Sequence, residues 1–152
     1  MKVHIILGSK SDMPVVEKTQ KLLDDFKVDY EITIASAHRT PEYVQKIVTQ
    51  SKADLFIGVA GLAAALPGTI AAHTTKPVIG VPVSGKVNLD SILSIIQMPP
   101  GVPVAAVGLD RGDNAALLAI EILAVSNKTL KKKLEDYRKK MKDEIIASNK
   151  GA

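Results

Sequence analysis

His38 and Arg39 stand side by side in Ser36-Ala37-His38-Arg39-Thr40-Pro41, a titratable imidazole next to a permanent cation. Such a pair suits proton transfer on an anionic substrate. The imidazole changes charge near neutral pH, and the guanidinium offers a planar fork of donors to an anion. Thr40, Pro41 and Glu42 are a helix-start signal: a hydroxyl N-cap, a proline where no N–H is needed, and an acid in the first turn. His38 and Arg39 therefore lie in a short strand-to-helix loop, where ligand groups gather in an open α/β sheet. Many such pairs are only solvated loop residues; two similarly placed loops flank this one and give it weight.

The first is Gly8-Ser9-Lys10-Ser11-Asp12, a glycine and two hydroxyls leading into a helix. Free backbone N–H groups at that helix start, with Ser9 and Ser11, make a phosphate site. The segment lacks the Walker spacing and its Lys-Ser/Thr pair, so alone it is a weak signal. Asp12 fits two roles, an ordinary N-cap or a ligand carboxylate. The other loop is Gly61-Leu62-Ala63-Ala64-Ala65-Leu66-Pro67-Gly68, whose small residues let a ligand approach the backbone; Gly61 and Gly68 equally suit the bounds of a tightly packed helix. His4 and His73 have no carboxylate or second His at ligand spacing, which argues against a metal.

The elements that must position these loops read as alternating strands and helices. Strands are expected at 2–8, 30–35, 54–60, 77–81 and 102–107. Helices are expected over Val15–Phe26, 41–50, 62–73, 89–97 and 113–125. The third strand is apolar on both faces, as a buried parallel strand should be. Alternation of this kind implies a three-layer αβα domain, and right-handed crossovers make the flavodoxin-like order 2-1-3-4-5 the expected one. All three loops then meet at the carboxyl ends of the strands. A last amphipathic helix, 127–147, carries Leu130, Leu134, Tyr137, Met141 and Ile145 on one stripe. It must bury that stripe on the same domain or on a neighbouring subunit. The expected organisation is a catalytic domain over 1–125 followed by this helix within 126–152.

At 152 residues, 46% hydrophobic but 3% aromatic, the chain can bury one core built from Ile, Val, Leu and Ala. No apolar run approaches the roughly 20 residues of a membrane span, and the N-terminus lacks signal-peptide regions. With no Cys there is no disulfide framework or thiolate zinc site. A cytoplasmic protein is expected. The net charge of +4 comes from residues 126–152, which hold nine basic and four acidic side chains; the remainder has 11 basic and 12 acidic. Such a run is ordinarily a solvated helix face, so neither nucleic acid nor membrane is expected as a partner.

Taken together, the segments are far more specific. Gly8-Ser9-x-Ser11-Asp12, Ser36-Ala37-His38-Arg39-Thr40-Pro41, Ala60-Gly61-x-Ala63-Ala64-x-Leu66-Pro67-Gly68, Val78–Val83, Gln97-Met98-Pro99-x-Gly101-Val102-Pro103-Val104-Ala105 and Asn114-Ala115-Ala116-Leu117-Leu118-Ala119 occur in one order. This pattern resembles the PurE family of purine biosynthesis from the first strand to about residue 124. The resemblance implies an αβα fold, a homo-octamer, and action on a phosphorylated aminoimidazole ribonucleotide without metal or organic cofactor. It further implies that a carboxylate moves from the exocyclic nitrogen to a ring carbon through trapped carbon dioxide. By position, Ser9, Ser11 and Asp12 then hold the ribose phosphate part, and Arg39 holds the phosphate. His38 moves the proton, Ser36 adds a substrate contact, and Gly61, Ala63, Ala64 and Leu66 surround the carboxyl group.

One departure matters. Mutases of the family usually read Ala-Gly-Gly-Ala-Ala-His-Leu-Pro-Gly in the third loop, whereas this chain has Leu62 for the second Gly and Ala65 for the His. His73 is about 12 Å further along an ideal helix and is a poor substitute. The other branch of the family carboxylates aminoimidazole ribonucleotide directly with carbon dioxide, usually with a Ser-Asn-rich third loop that this chain also lacks. Gly108-Leu109-Asp110-Arg111-Gly112-Asp113 departs again from the usual small-residue loop. A flavodoxin-like ligand-binding module is the alternative of another class. A phospho-acceptor would want an Asp where the third strand ends in Gly58-Val59-Ala60-Gly61, and a flavin carrier would want aromatics in its loops.

Overall fold

The computed structural model of the chain describes residues 1–149; Lys150, Gly151 and Ala152, the end of the 126–152 segment, lie outside the described residues. Five strands, β1 (Lys2–Leu7), β2 (Asp29–Ile34), β3 (Leu55–Gly61), β4 (Val78–Val83) and β5 (Ala105–Ala106), form one parallel sheet in the order β2-β1-β3-β4-β5. Among the described residues six α-helices cover it: α1 (Met13–Phe26), α2 (Pro41–Gln50), α3 (Leu66–Ala72), α4 (Asn88–Ile96), α5 (Gly112–Ala124) and α6 (Lys128–Ser148). This is the flavodoxin-like architecture expected from the alternation.

Strand periodicity splits the core into two layers. Val3, Ile5, Leu7, Ile57, Val59, Ile79 and Val81 pack with α1 and α5, while Ile6, Phe56, Ala60 and Val78 pack with α2, α3 and α4. On the second face Gly58 and Gly80 are register partners. A Cβ on Gly58 would lie 3.1 Å from the Cα of Pro67, and one on Gly80 would lie 2.4 Å from Ile95 Cγ2 and 3.2 Å from Pro67 Cβ. The pair makes a flat seat on which the first turn of α3 rests. On the other face α1 and α5 touch at Gly112, where a Cβ would fall 2.1 Å from the Val15 carbonyl and Thr19 Oγ1 donates to the Gly112 carbonyl at 2.9 Å.

Two elements differ from expectation. Residues 62–65 are not helical: Leu62 takes φ 55 and the Ala65 N–H closes a tight turn onto the Ala63 carbonyl at 2.7 Å. Alanine's helix propensity is a weak prior, and here the left-handed Leu62 and the tight turn after it delay the helix to Leu66. β5 shrinks from the expected 102–107 to two residues, because Pro103 has no N–H for an edge ladder and Val102 and Val104 turn into the second core layer.

The stripe of α6 divides. Leu130 is buried, and Leu134 and Tyr137 pack on the first core layer, Tyr137 edge-on to Phe26 with ring centroids 5.6 Å apart. Lys133 Nζ donates to the Phe26 carbonyl at 2.7 Å and Arg138 meets Glu121 at 2.9 Å. Met141, Ile145 and Ile146 further along are exposed. Among the described residues no helix is long and apolar enough to cross a membrane.

Candidate active site

The loop after β1 is tied down at its first residue, where the Gly8 N–H donates to the Val59 carbonyl at 3.0 Å. Ser9 then caps a single 3-10 turn, Lys10–Asp12, through a reciprocal box: the Ser9 N–H donates to Asp12 Oδ2 at 3.1 Å while Ser9 Oγ receives backbone N–H from the turn. Ser11 Oγ donates to Ser9 Oγ at 3.0 Å. Asp12 therefore does not cap α1 with its side chain, one of the two roles its sequence allowed; its carboxylate faces back into the loop. Asp12 is 8% exposed, and burial pushes its carboxyl up against the opposing pull of the Ser9 N–H, the Ser11 hydroxyl and the Arg39 cation.

The loop after β2 closes on its own backbone. Thr40 makes no side-chain cap for α2, contrary to the sequence expectation. Its hydroxyl instead accepts from the Ser36 N–H at 2.9 Å and donates to the Ser36 carbonyl at 3.1 Å, while the Thr40 N–H donates to the same carbonyl. Ser36 Oγ accepts from the Arg39 N–H at 3.2 Å. The hydroxyl is spent on the loop because that closure fixes Ala37, His38 and Arg39 as a rigid arch. From it Arg39 Nη2 donates to the Gly8 carbonyl at 2.8 Å, linking second loop to first. His38 stands exposed on the arch.

These two loops, the segment after β3 and the exit of β4 enclose one cleft of about 620 Å³ at the carboxyl ends of the strands. Ser9, Ser11, Asp12, Ser36, His38, Arg39, Gly61, Ala63 and Leu66 line it. Ala64 does not: it is 1% exposed and packs in the second core layer. Leu62 and Ala65 line the third-loop side, Leu62 being 76% exposed. Val83 and Ser84 form a wall that the sequence reading missed. The signal was available, since β4 neighbours β3 and its carboxyl end must open on the same crevice.

The remaining histidines lie elsewhere. His73 ends α3. His4 is buried at the opposite end of the sheet, with Nδ1 3.0 Å from Ser51 Oγ and 2.9 Å from Glu31 Oε1 and Nε2 2.9 Å from Thr33 Oγ1. Burial holds it below the ordinary imidazole value despite the adjacent Glu31 carboxylate, with Lys2 adding to the lowering. Among the described residues no three His, Asp or Glu side chains converge as metal ligands would.

The model of the AIR carboxylase family matches residues 2–144. The chain is 57% identical over 148 residues to the N5-carboxyaminoimidazole ribonucleotide mutase of Methanocaldococcus jannaschii, spanning 97% of this chain and 94% of that protein. It is 52% identical over 146 residues to the protein of the same name from Pyrococcus abyssi, spanning 93% and 84%. The crystal structure of Treponema denticola PurE matches with a TM-score of 0.91 at 30% identity, over 99% of this chain and 98% of that one.

Proposed function

The chain belongs to the AIR carboxylase family, and from that premise we propose that it is an N5-carboxyaminoimidazole ribonucleotide mutase of purine biosynthesis. One observation carries the mechanism: a buried carboxylate, two serine hydroxyls, a guanidinium and an exposed imidazole converge on one cleft beside a loop of small residues. Arg39 binds the ribonucleotide phosphate with its fork of donors. Ser9, Ser11 and Asp12 hold the sugar phosphate, with Asp12 accepting from ribose hydroxyls, and Ser36 adds a contact at the foot of the arch. Gly61, Ala63 and Leu66 surround the carboxyl group and exclude water from it.

His38 moves the proton. The bond from the exocyclic nitrogen to the carboxyl carbon breaks, carbon dioxide leaves, and the nitrogen keeps the electron pair and takes a proton from His38. The ring carbon then attacks the trapped carbon dioxide, forming the new carbon–carbon bond. The hydrogen on that carbon leaves as a proton to His38, so the ring and the imidazole return to their starting states. Atoms balance as an isomerisation and no cofactor is called on.

The position usually held by histidine in the third loop of mutases is Ala65 here, which favours direct carboxylation with dissolved carbon dioxide as the second reading. Substrate labelled in its carboxyl group separates the two. Label retained in product through turnover is expected; washout into bicarbonate overturns the mutase assignment. Residues 1–125 act as the catalytic unit in this proposal. Val87, Leu89, Leu93 and Ile96 around α4 and Met141, Ile145 and Ile146 on α6 are exposed apolar side chains that a closed homo-octamer in the cytoplasm would cover. A stable monomer in light scattering at micromolar concentration would remove the assembly.

A further inference from the structure

The peptide groups where the chain leaves β4 are held by the protein's own framework. Ser91 Oγ donates to the Val83 carbonyl at 3.1 Å, the Ser84 N–H donates to Asp110 Oδ1 at 2.9 Å, and the Gly85 N–H donates to Asn88 Oδ1 at 3.0 Å. Asp110 is itself fixed. Its N–H donates to the Pro82 carbonyl at 2.9 Å, its carbonyl accepts from Lys18 Nζ at 3.2 Å, and its backbone sits at φ 57. The Gly108–Asp113 stretch, which has no part in the mechanism above, thus pins the wall of the cleft.

What the clamp presents is Ser84. It lines the cleft as an exposed residue, and among the described residues nothing hydrogen-bonds its hydroxyl. Val83 is the register partner of Gly61, and a Cβ on Gly61 would lie 3.3 Å from the Val83 carbonyl. Ser84 therefore follows immediately beside the point where the third loop begins. That loop brings no hydrogen-bonding side chain of its own: Leu62, Ala63, Ala65 and Leu66 are all apolar. A carboxylate desolvated against them needs a donor from a neighbour.

Resting on the mutase reading, we propose that Ser84 is a further substrate-binding residue, its hydroxyl donating to the migrating carboxyl group, and that Asp110 is its positioning residue. A serine hydroxyl is a neutral donor that does not titrate in the working range, so it holds a carboxylate or carbon dioxide oxygen without competing with His38 for the proton. No bond to Ser84 forms or breaks. Asp suits the clamp because a short polar side chain tolerates the left-handed backbone and supplies the acceptor for the Ser84 N–H.

The test uses the purified full chain and two readouts: kcat/KM for N5-carboxyaminoimidazole ribonucleotide, and Kd for aminoimidazole ribonucleotide, which lacks the migrating group. Ser84→Ala is expected to lower the first about tenfold and shift the second less than about twofold, the pattern of one lost hydrogen bond to a charged group. Asp110→Ala is expected to reproduce that selective loss, and Asp110→Asn, which keeps the acceptor and the backbone tolerance, to restore most of it. Unchanged kcat/KM in Ser84→Ala, or equal losses on both readouts, overturns the role of Ser84. Equal losses in Asp110→Ala, or no rescue by Asp110→Asn, overturns the positioning role. A wild-type chain that fails to convert the carboxylated substrate overturns the mutase reading and this inference together, whereas a working wild type beside an indifferent Ser84→Ala overturns this inference alone.

Discussion

The two ends of the sheet carry the same kinds of side chain to opposite effect. At the amino end, His4, Glu31, Ser51 and Thr33 spend their polar atoms on one another, Lys2 meets Glu31 at 2.6 Å, and Lys76 caps the Ser51 and Ala53 carbonyls. At the carboxyl end, framework bonds fix the backbone of each loop and leave His38 exposed and the hydroxyl of Ser84 without a partner among the described residues. A histidine in a satisfied network stabilises; a histidine on a braced but open arch is available to a substrate. Residue type alone does not separate the two. Where the hydrogen bonds go does.

Exchanging the histidines gives the sharpest break between the ends. His38→Asn is expected to lower turnover by about two to four orders of magnitude, the worth of a general acid–base group, with ribonucleotide affinity nearly unchanged. His4→Ala is expected to leave turnover of the folded enzyme intact and cost about 1–3 kcal/mol in a denaturant titration, since Glu31 and Thr33 lose a buried partner. Full activity in His38→Asn would end the proton-transfer role. A slow but stable His4→Ala enzyme would dissolve the contrast.

A smaller effect divides recognition from stability within the cleft. Arg39→Lys keeps the charge but loses the fork, so affinity should fall at least a few fold with little change in kcat. Asp12→Asn should weaken binding by about tenfold while slightly raising the melting temperature near neutral pH. Burial raises the folded-state pKa of Asp12, so the stability linked to its protonated form is lost as pH rises through that value, and Asn removes the loss. Either variant binding normally but turning over slowly would move that residue from recognition into the chemistry.

The smallest effect belongs to pH. Burial lowers the folded-state pKa of His4, so the unfolded chain holds that proton more tightly. Stability should therefore be complete above the ordinary value of 6.5 and decline as pH falls below it. Unfolding curves from pH 7.5 down to 5.5 should show that slope in the wild type and a shallower one in His4→Ala. Identical slopes would show that His4 is not the group responsible.

The strand order and the three loops were legible because their signals are local. Pro41 and Glu42 mark a helix start wherever they occur, and short apolar runs alternating with helical patterns report the strands of a parallel sheet. What escaped was set by distant contacts. Thr40 reads as a cap, but its hydroxyl is claimed by Ser36; Ala63–Ala65 read as helix, but a left-handed Leu62 holds them as a loop. Ser84 carries no motif and becomes visible only once β4 lies beside β3 and Asp110 reaches across. The α6 stripe was plain, yet no periodicity could say that Leu130–Tyr137 meet the body while Met141 and Ile145 do not.

The glycine seat under α3 sets a mechanical tolerance for the whole pocket. Because Gly58 and Gly80 sit opposite each other beneath Pro67, one added methyl has nowhere to go: at position 80 it would meet Ile95 Cγ2 at 2.4 Å. At position 58 it would press on Pro67 Cα at 3.1 Å, and raising that first turn of α3 would carry residues 62–66 with it. The width of the cleft at the carboxyl ends of the strands is thus gauged by glycine hydrogens in the sheet's interior, so a lineage could retune it without altering any residue that lines it.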